Sequence, residues 1–600
     1  MKSNSLIVRH RELSGFEGLN PRSLNPKLAE LLDRGAYILL VSRKPLRVGT
    51  PWRKSTMGTL RGEQIIAQSF KREGVDTIFF MMGGPTGGTA GACLDIGMKG
   101  IYVRHEQAAA MMAHAYARVT GKPGICIAPM GPGVANLVTG LGNAWADATP
   151  VIAIGGAAPM RGTTLDTFQE MDQIPMMRPI VKAAYRVDLG YRIPEYISIA
   201  FREALDGKRG PVYLDLPGDV LAGKVEEEKI HWVEGNSRVE SRPAGDPALI
   251  RETIQLLAKA RRPIVLTGSG VLWSRAENEL RNFIDATGIP FFTTPQGRGV
   301  VAEDHPRSFP GARSTAFREA DVVLLIGARA NSMLSFLRPP RFSPDAKFIN
   351  VNLDGKEIGH NRGAEIGFIG DARLVLGQLT AEAAGKFDAT EETDWVAQLA
   401  VKHRSNMERS APLLHSDAVP IHPLRLCNEV KEVISRDTIL VVDGHEILNF
   451  ARQSIPIYQA RRSLNAGPHG CMGVGIPFGI GAKVARPDLP VLVLSGDGAF
   501  GWNGMEMDTA IRHQLSIVVV VSNNGGFTSR KTGGSVGRDL GFQRYDKMVE
   551  ALGGYGEFVE QPSAIRPAIE RAIKSGQTAL VNVCTDPDAQ ATTDMGFAGY

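Results

Sequence analysis

At 600 residues the chain is too long for one core and suits three or four domains of ~150 residues. Its composition, 43% hydrophobic and 22% charged with 67 glycines, is that of a globular protein, and no apolar run nears the ~18 residues that span a bilayer. The net charge of +5 hides a split: residues 1–56 carry eleven Lys/Arg against four Asp/Glu, so the remainder is slightly acidic and offers no basic stripe for nucleic acid. Five cysteines without CxxC spacing point to a reduced, cytoplasmic setting rather than a disulfide scaffold or a zinc site.

Residues 1–56, with "SRKPLRVGTPWRKST", lack periodicity and the apolar core of a secretory signal, while Glu12, Glu17, Glu30 and Asp33 speak against a transit peptide. They read as a dispensable extension or an over-long gene start, with Met57 as the alternative beginning. From 57 to 225 the chain alternates helical and strand patterns: "EQIIAQSFKREGV", "DTIFFMMGGP", "GICIAPMGPG", "TPVIAIGGAAP" and "GPVYLDLPGDV". A charged linker leads to a unit at 246–382, with strands "PIVLTGSG", "ADVVLLIGAR" and "KFINVNLD". After the acidic break "FDATEETDW", a third unit at 415–585 holds "TILVVDG", "VLVLSGDG", "SIVVVVSNN" and "ALVNVCTD", and a tail runs over 586–600. The alternation predicts an α/β fold of three doubly wound, parallel-sheet domains.

Two polar-glycine clusters stand out in the third unit. Gly496-Asp497-Gly498 ends one predicted strand and Asn523-Asn524-Gly525-Gly526 ends the next, with 24 residues between Gly498 and Asn523. That interval fits one helix plus one strand. In an open parallel sheet both clusters then meet at the carboxyl edge, where ligands bind. A carboxylate, an amide oxygen and a loop carbonyl are hard donors suited to Mg²⁺ that keeps sites for phosphate oxygens. Gly498 and Ala499 open a helix whose N–H groups favour a phosphate. Each cluster alone is an ordinary strand-end turn; together they indicate a metal-bound diphosphate.

GDG followed by NN across this interval resembles the signature of the thiamine-diphosphate-dependent enzymes, and the resemblance extends over nearly all of residues 60–585. It implies that Asp497, Asn524 and the Gly526 carbonyl bind Mg²⁺ holding the cofactor's diphosphate, while Asn523 supports the turn. "YVRHEQAAAMMAHAYARVTGK" places Glu106 where a strand gives way to a helix of small residues. Alone it would be a favourable partner of the helix dipole. In this family a glutamate so placed bonds the aminopyrimidine N1′ and promotes loss of the thiazolium C2 proton. Glu106 and the diphosphate site then meet across a subunit interface, which implies a homodimer or homotetramer. In "GPHGCMGVG", Met472 resembles the wedge that bends the cofactor, with the Gly470 carbonyl accepting from its 4′-amino group. "VVDGHEI" also ends a strand, so Gly444, His445 and Glu446 are candidates near the diphosphate, as is Gly496.

"GARANSMLSFLRPPRF", "GMEMDTAIRHQL" and "GCMGVG" resemble the branch of 2-hydroxyacyl-CoA lyases and oxalyl-CoA decarboxylases. A dinucleotide dehydrogenase is the rival suggested by "TGSGVLW", which lacks the third glycine of GxGxxG. In that branch the middle domain holds the adenosine part of coenzyme A or of ADP. Asp354 is placed to accept from a ribose hydroxyl, and Arg313 and Arg329 to meet phosphates. "EMDQ" resembles the decarboxylases, but Phe168-Gln169 stands where those have Tyr-Glu, and matches the lyases and acetolactate synthases. "FFMMGGPTGG" and "ANSMLSF" depart from the usual lyase pattern. The tail is expected to be either a free end or a segment closing over a CoA-bound site. The resulting expectation is a lyase with an acyl-CoA substrate; oxalyl-CoA decarboxylase, an acetolactate-synthase-like carboligase and a non-catalytic paralogue remain as rivals.

Overall fold

The computed structural model describes residues 58–233, 241–531 and 536–591. The extension at 1–56 and most of the tail lie outside the described residues. Three parallel sheets carry the chain, as the alternating pattern predicts. The first runs, edge to edge, Lys99–Tyr102, Thr77–Phe80, Gly124–Ala128, Val151–Ala157, Val212–Pro217 and Ala183–Arg186. The central sheet runs Phe291–Thr293, Pro263–Thr267, Val322–Ile326, Lys347–Asn352 and Ile366–Ile369. The third runs Ser463–Leu464, Ile439–Asp443, Val491–Gly496, Val518–Asn523, Ala579–Cys584 and Tyr555–Val559.

Numbered in chain order, the strands of the first and third sheets share the arrangement 2-1-3-4-6-5, and the central sheet reads 2-1-3-4-5. Each order reverses between its strands 1 and 3, which opens a crevice at their carboxyl ends. The inner strands are largely apolar and buried on both faces, as in Val518–Asn523, which turns polar only at Ser522 and Asn523, and Val151–Ala157.

The first and third sheets are joined by two helices of small residues, Glu106–Thr120 and Gly475–Ala485. Ala108, Ala109, Ala110, Ala113, Ala115 and Ala117 are fully buried. Their short side chains let the backbones approach so closely that a Cβ on Gly481 would sit 2.4 Å from the Met112 carbonyl oxygen. One apolar cluster runs through this seam from Phe79 to Leu580 and takes nothing from residues 214–438. Beneath it lies a buried polar knot. His114 Nε2 is 3.0 Å from Asp147 Oδ2, Arg118 Nη1 is 3.4 Å from the same oxygen, and Arg118 also donates to the Asn465 and Ser463 carbonyls. Among the described residues no helix is long and apolar enough to cross a membrane.

Candidate active site

The crevice of the third sheet is the candidate cradle. Asp443 pairs with Ser495 and Gly496 with Ser522, so the turns after these strands lie side by side. They border a cavity of about 320 Å³ lined by Gly444, His445, Glu446, Met472, Gly496, Asp497, Gly498, Ala499, Asn524, Gly526 and the strand end Thr585-Asp586, among others. The turns need glycine. Gly444 has φ +114°, and a Cβ on Gly498 would sit 2.6 Å from the Phe527 ring.

Asp497 is 1% exposed, and its Oδ2 has no hydrogen-bond partner. Burial pushes its carboxyl up to about 6, against the opposing pull of the Gly498 and Gly526 N–H groups and the Arg538 charge. A buried, half-satisfied carboxylate is costly unless a cation completes it. Asn524 is fixed by donation of Nδ2 to the Thr528 carbonyl at 2.9 Å, so Oδ1 is the atom it could offer to a cation. The loop is stapled by Arg538, whose Nη2 donates to the Thr528 carbonyl at 3.0 Å. Asn523 supports the turn from below: Nδ2 donates to the Gln543 carbonyl and to Asn582 Oδ1, and Oδ1 accepts from the Gly525 N–H. No cluster of three or more His, Cys, Asp or Glu among the described residues can hold a metal. A cation here would therefore rely on one carboxylate, neutral oxygens and oxygens that its ligand brings, a donor set that fits magnesium carrying a diphosphate.

Met472 lines the cavity with 38% of its surface exposed, and Gly470 (φ +65°) turns the chain just before it. His445 is exposed at the cavity rim, 3.7 Å from Glu446. Asp443, which sequence reasoning missed, lies behind these turns. It is buried and accepts the Gly475 N–H at 2.7 Å, and burial raises its carboxyl to about 6.

Glu106, Phe168 and Gln169 lie apart from that cavity, at the carboxyl edge of the first sheet, and none of them lines it. Glu106 opens its helix after His105, whose ring accepts the Gln107 N–H, and Glu106 is 8% exposed. Asn136 Nδ2 donates to Glu106 Oε2 at 2.9 Å, and a Cβ on Gly133 would come within 3.1 Å of Oε1. Gln169 has φ +59°, and its carbonyl sits where a Cβ on Gly131 would meet it at 2.5 Å. The loop thus rests on the glycine turn beside Glu106. Phe168 is 80% exposed. The neighbouring carboxylate, Glu170, is spent on its own loop, accepting the N–H groups of Thr164 and Thr167. Asn136 could have been picked out as the polar end of "GPGVAN" directly after a strand.

The nucleotide candidates separate. Arg329 lines a central-sheet cavity of about 80 Å³ with Lys208, Arg209, Ser269, Trp273 and Asn352, and its Nη1 donates to the Ala146 carbonyl. Asp354 caps the turn at Gly355–Glu357 and does not line that cavity; Leu353 does. Arg313 borders a different cavity, also of about 80 Å³, together with Arg298, Glu303 and Arg452. Burial lowers Arg313 to about 9, and lowers Arg452 too, with Arg298 and Arg313 adding repulsion.

Residues 60–176 match the N-terminal TPP-binding domain of thiamine pyrophosphate enzymes, 250–379 their central domain and 447–583 their C-terminal TPP-binding domain. The chain is 33% identical to the 2-hydroxyacyl-CoA lyase of Arabidopsis thaliana over 559 residues, covering 90% of this chain and 98% of the relative. It is 34% identical to the oxalyl-CoA decarboxylase of Escherichia coli K12, covering 88% of this chain and 95% of the relative. It is 33% identical to the large subunit of an acetolactate synthase from Mycobacterium tuberculosis H37Rv, covering 88% and 96%. The chain belongs to the thiamine pyrophosphate enzymes, in the branch of the 2-hydroxyacyl-CoA lyases and oxalyl-CoA decarboxylases.

Proposed function

We propose that the enzyme is a magnesium-dependent 2-hydroxyacyl-CoA lyase. It cleaves the bond between C1 and C2 of a 2-hydroxyacyl-CoA, giving formyl-CoA and an aldehyde or ketone, and joins them in reverse. The hydroxyl proton leaves C2–OH and a proton returns to C1, so the reaction is redox-neutral and needs no co-reactant. When bound, the cofactor's thiazolium supplies the carbon nucleophile and the electron sink.

The chain's residues divide the remaining tasks. Asp497, Asn524 and the Gly526 carbonyl hold the magnesium diphosphate; Gly496, Gly498, Ala499, Gly444 and His445 line its berth. Met472 presents an apolar wedge, and the Gly470 carbonyl accepts from the pyrimidine amine. Glu106 exchanges the proton that activates the cofactor. Gln169 donates a hydrogen bond near the reacting carbon but cannot take up a proton, and Phe168 shields the site from water. Because Glu106 and the diphosphate cavity are separate within one chain, a second copy supplies Glu106, so the working enzyme is a homodimer or homotetramer. A cytoplasmic setting accords with five free thiols.

The observation that carries the lyase over the decarboxylase is Phe168-Gln169 on the glycine turn beside Glu106, with Glu170 locked into its own loop. An acetolactate-synthase-like carboligase has the same pair in its favour. Against it stand Arg313, Arg298 and Arg452 around one cavity, outnumbering Glu303, which suits the phosphates of coenzyme A better than a small keto acid. Arg329 and its neighbours offer a second berth for a nucleotide such as ADP.

Purified protein with thiamine diphosphate and Mg²⁺ is offered a panel of 2-hydroxyacyl-CoAs, oxalyl-CoA and pyruvate. Formyl-CoA should form from the hydroxyacyl thioesters. Turnover of oxalyl-CoA or pyruvate with no formyl-CoA from the 2-hydroxyacyl-CoAs would overturn the reading.

A further inference from the structure

The turn that delivers Glu106 is gripped by the third sheet's block. Glu506 opens the helix Glu506–Arg512 and is 1% exposed. Its Oε1 accepts two backbone N–H groups, from Arg104 at 3.0 Å and from His105 at 3.0 Å. Oε2 accepts the Thr509 hydroxyl at 2.6 Å. The same helix and the residue that follows it add further ties: Asp508 Oδ2 lies 3.4 Å from Arg104 Nη1, Arg512 Nη2 donates to the Tyr102 carbonyl, and His513 Nε2 accepts the Tyr102 N–H at 3.2 Å.

These contacts select the residues immediately before Glu106. The N–H groups of Arg104 and His105 precede the helix and have no acceptor within it. One carboxylate oxygen takes both, which fixes the height and the twist of the chain entering Glu106. A buried carboxylate is expensive unless it is hydrogen-bonded, and here three donors engage both of its oxygens. Packing alone would be served as well by an apolar side chain at this place.

We infer that Glu506 is a positioning residue for Glu106: it clamps the Arg104-His105 turn so that the Glu106 carboxylate meets the cofactor's pyrimidine in register. The inference rests on the reading of Glu106 as the activating group. Misplacement by about 1 Å costs on the order of 100-fold in such chemistry, so the clamp should be visible in the activation step itself.

Two readouts test it. The first is amide hydrogen exchange over residues 102–107 in cofactor-free protein, followed by mass spectrometry. The second is the rate of deuterium exchange at C2 of enzyme-bound thiamine diphosphate, followed by NMR after acid quench, with Glu106→Gln as the control. Glu506→Ala should speed amide exchange at Arg104 and His105 by more than ~10-fold. It should slow C2 exchange by ~10–100-fold. Glu506→Gln keeps an acceptor oxygen and should restore most of both. Glu506→Asp, shorter by one methylene, replaces the alanine variant if that chain fails to fold, and should also slow C2 exchange. C2 exchange at the wild-type rate in either the alanine or the aspartate variant, with Glu106→Gln slowed, overturns the inference alone. If Glu106→Gln itself exchanges at the wild-type rate, the reading beneath falls and the inference falls with it.

Discussion

Asn136 donates its side-chain amide to Glu106 Oε2 at 2.9 Å. A hydrogen bond to a carboxylate is worth about 1.5–3 kcal/mol, so Asn136 aims Glu106 as well as satisfying it. Asn136→Ala should lower kcat by roughly 10-fold or more while leaving the dissociation constant for thiamine diphosphate within about threefold. Glu106→Ala should abolish turnover with diphosphate binding largely kept. Steady-state kinetics and a fluorescence titration with the cofactor measure both.

Asp497 predicts opposite effects on binding and stability. Asp497→Asn removes the one anionic donor of the proposed magnesium site, so magnesium affinity in the presence of thiamine diphosphate should fall at least ~10-fold by calorimetric titration. The same change removes a buried carboxylate with an unpartnered oxygen, so the metal-free variant at pH 8 should unfold no earlier than the wild type.

The pH dependence of stability isolates Asp443. Its carboxyl is raised by burial from an ordinary value of 3.8 to about 6, so between those pH values the folded chain holds more proton than the unfolded one. Stability from this group is therefore full below about pH 4 and is lost as pH rises through 6, a change on the order of 2–3 kcal/mol. The stability of wild type relative to Asp443→Asn should fall by about 2 kcal/mol from pH 4.5 to pH 7, read from denaturant midpoints of metal-free protein. A flat or rising difference would remove the assignment.

The seam between Glu106–Thr120 and Gly475–Ala485 tolerates no added volume. Gly481→Ala should cost about 1–3 kcal/mol because its methyl would meet the Met112 carbonyl oxygen at 2.4 Å. Thermal unfolding should show the loss, and Gly501→Ala, with open space around its Cβ position, should not.

A mixed-subunit experiment checks whether Glu106 serves another copy's cavity. Glu106→Gln and Asp497→Asn chains are each expected to be inactive alone. Refolded together at equal ratio they should regain roughly a quarter of wild-type turnover, since half the dimers are mixed and each mixed dimer holds one intact site. No recovery in demonstrably mixed dimers would mean that each chain supplies its own Glu106.

The inner strands of all three sheets were legible because both their faces are buried, which writes a continuous apolar run such as "SIVVVV" into the sequence. The edge strands were harder. Ala183–Arg186 and Tyr555–Val559 are half-buried nearly throughout, and Ile366–Ile369 alternates buried and exposed, so their patterns merge with those of loops. At the site, Asp497 and Asn524 could be read because they sit in glycine turns at strand ends. Asn136 left a weaker trace, as the polar end of "GPGVAN" after a strand, whereas Asp443 and Glu506 could not be read, because each acts through backbone N–H groups that only the fold brings near. Arg313 and Arg329, taken together from the sequence, border separate cavities, since one strand-end turn and one helix start in the same sheet face different neighbours.

The apolar cluster that joins the first and third sheets without drawing on residues 214–438 makes the central sheet an insertion between two halves of a single core. Its ties to them are largely polar: Lys208 to Glu357, Arg329 to the Ala146 carbonyl, Arg436 to Asp304. Dissection of the gene should therefore be lopsided. The central segment is the one piece that can be expressed by itself as a soluble fragment. Either outer sheet made alone would present a strip of bare methyl groups to water and be recovered only when its other half is supplied in the same cell.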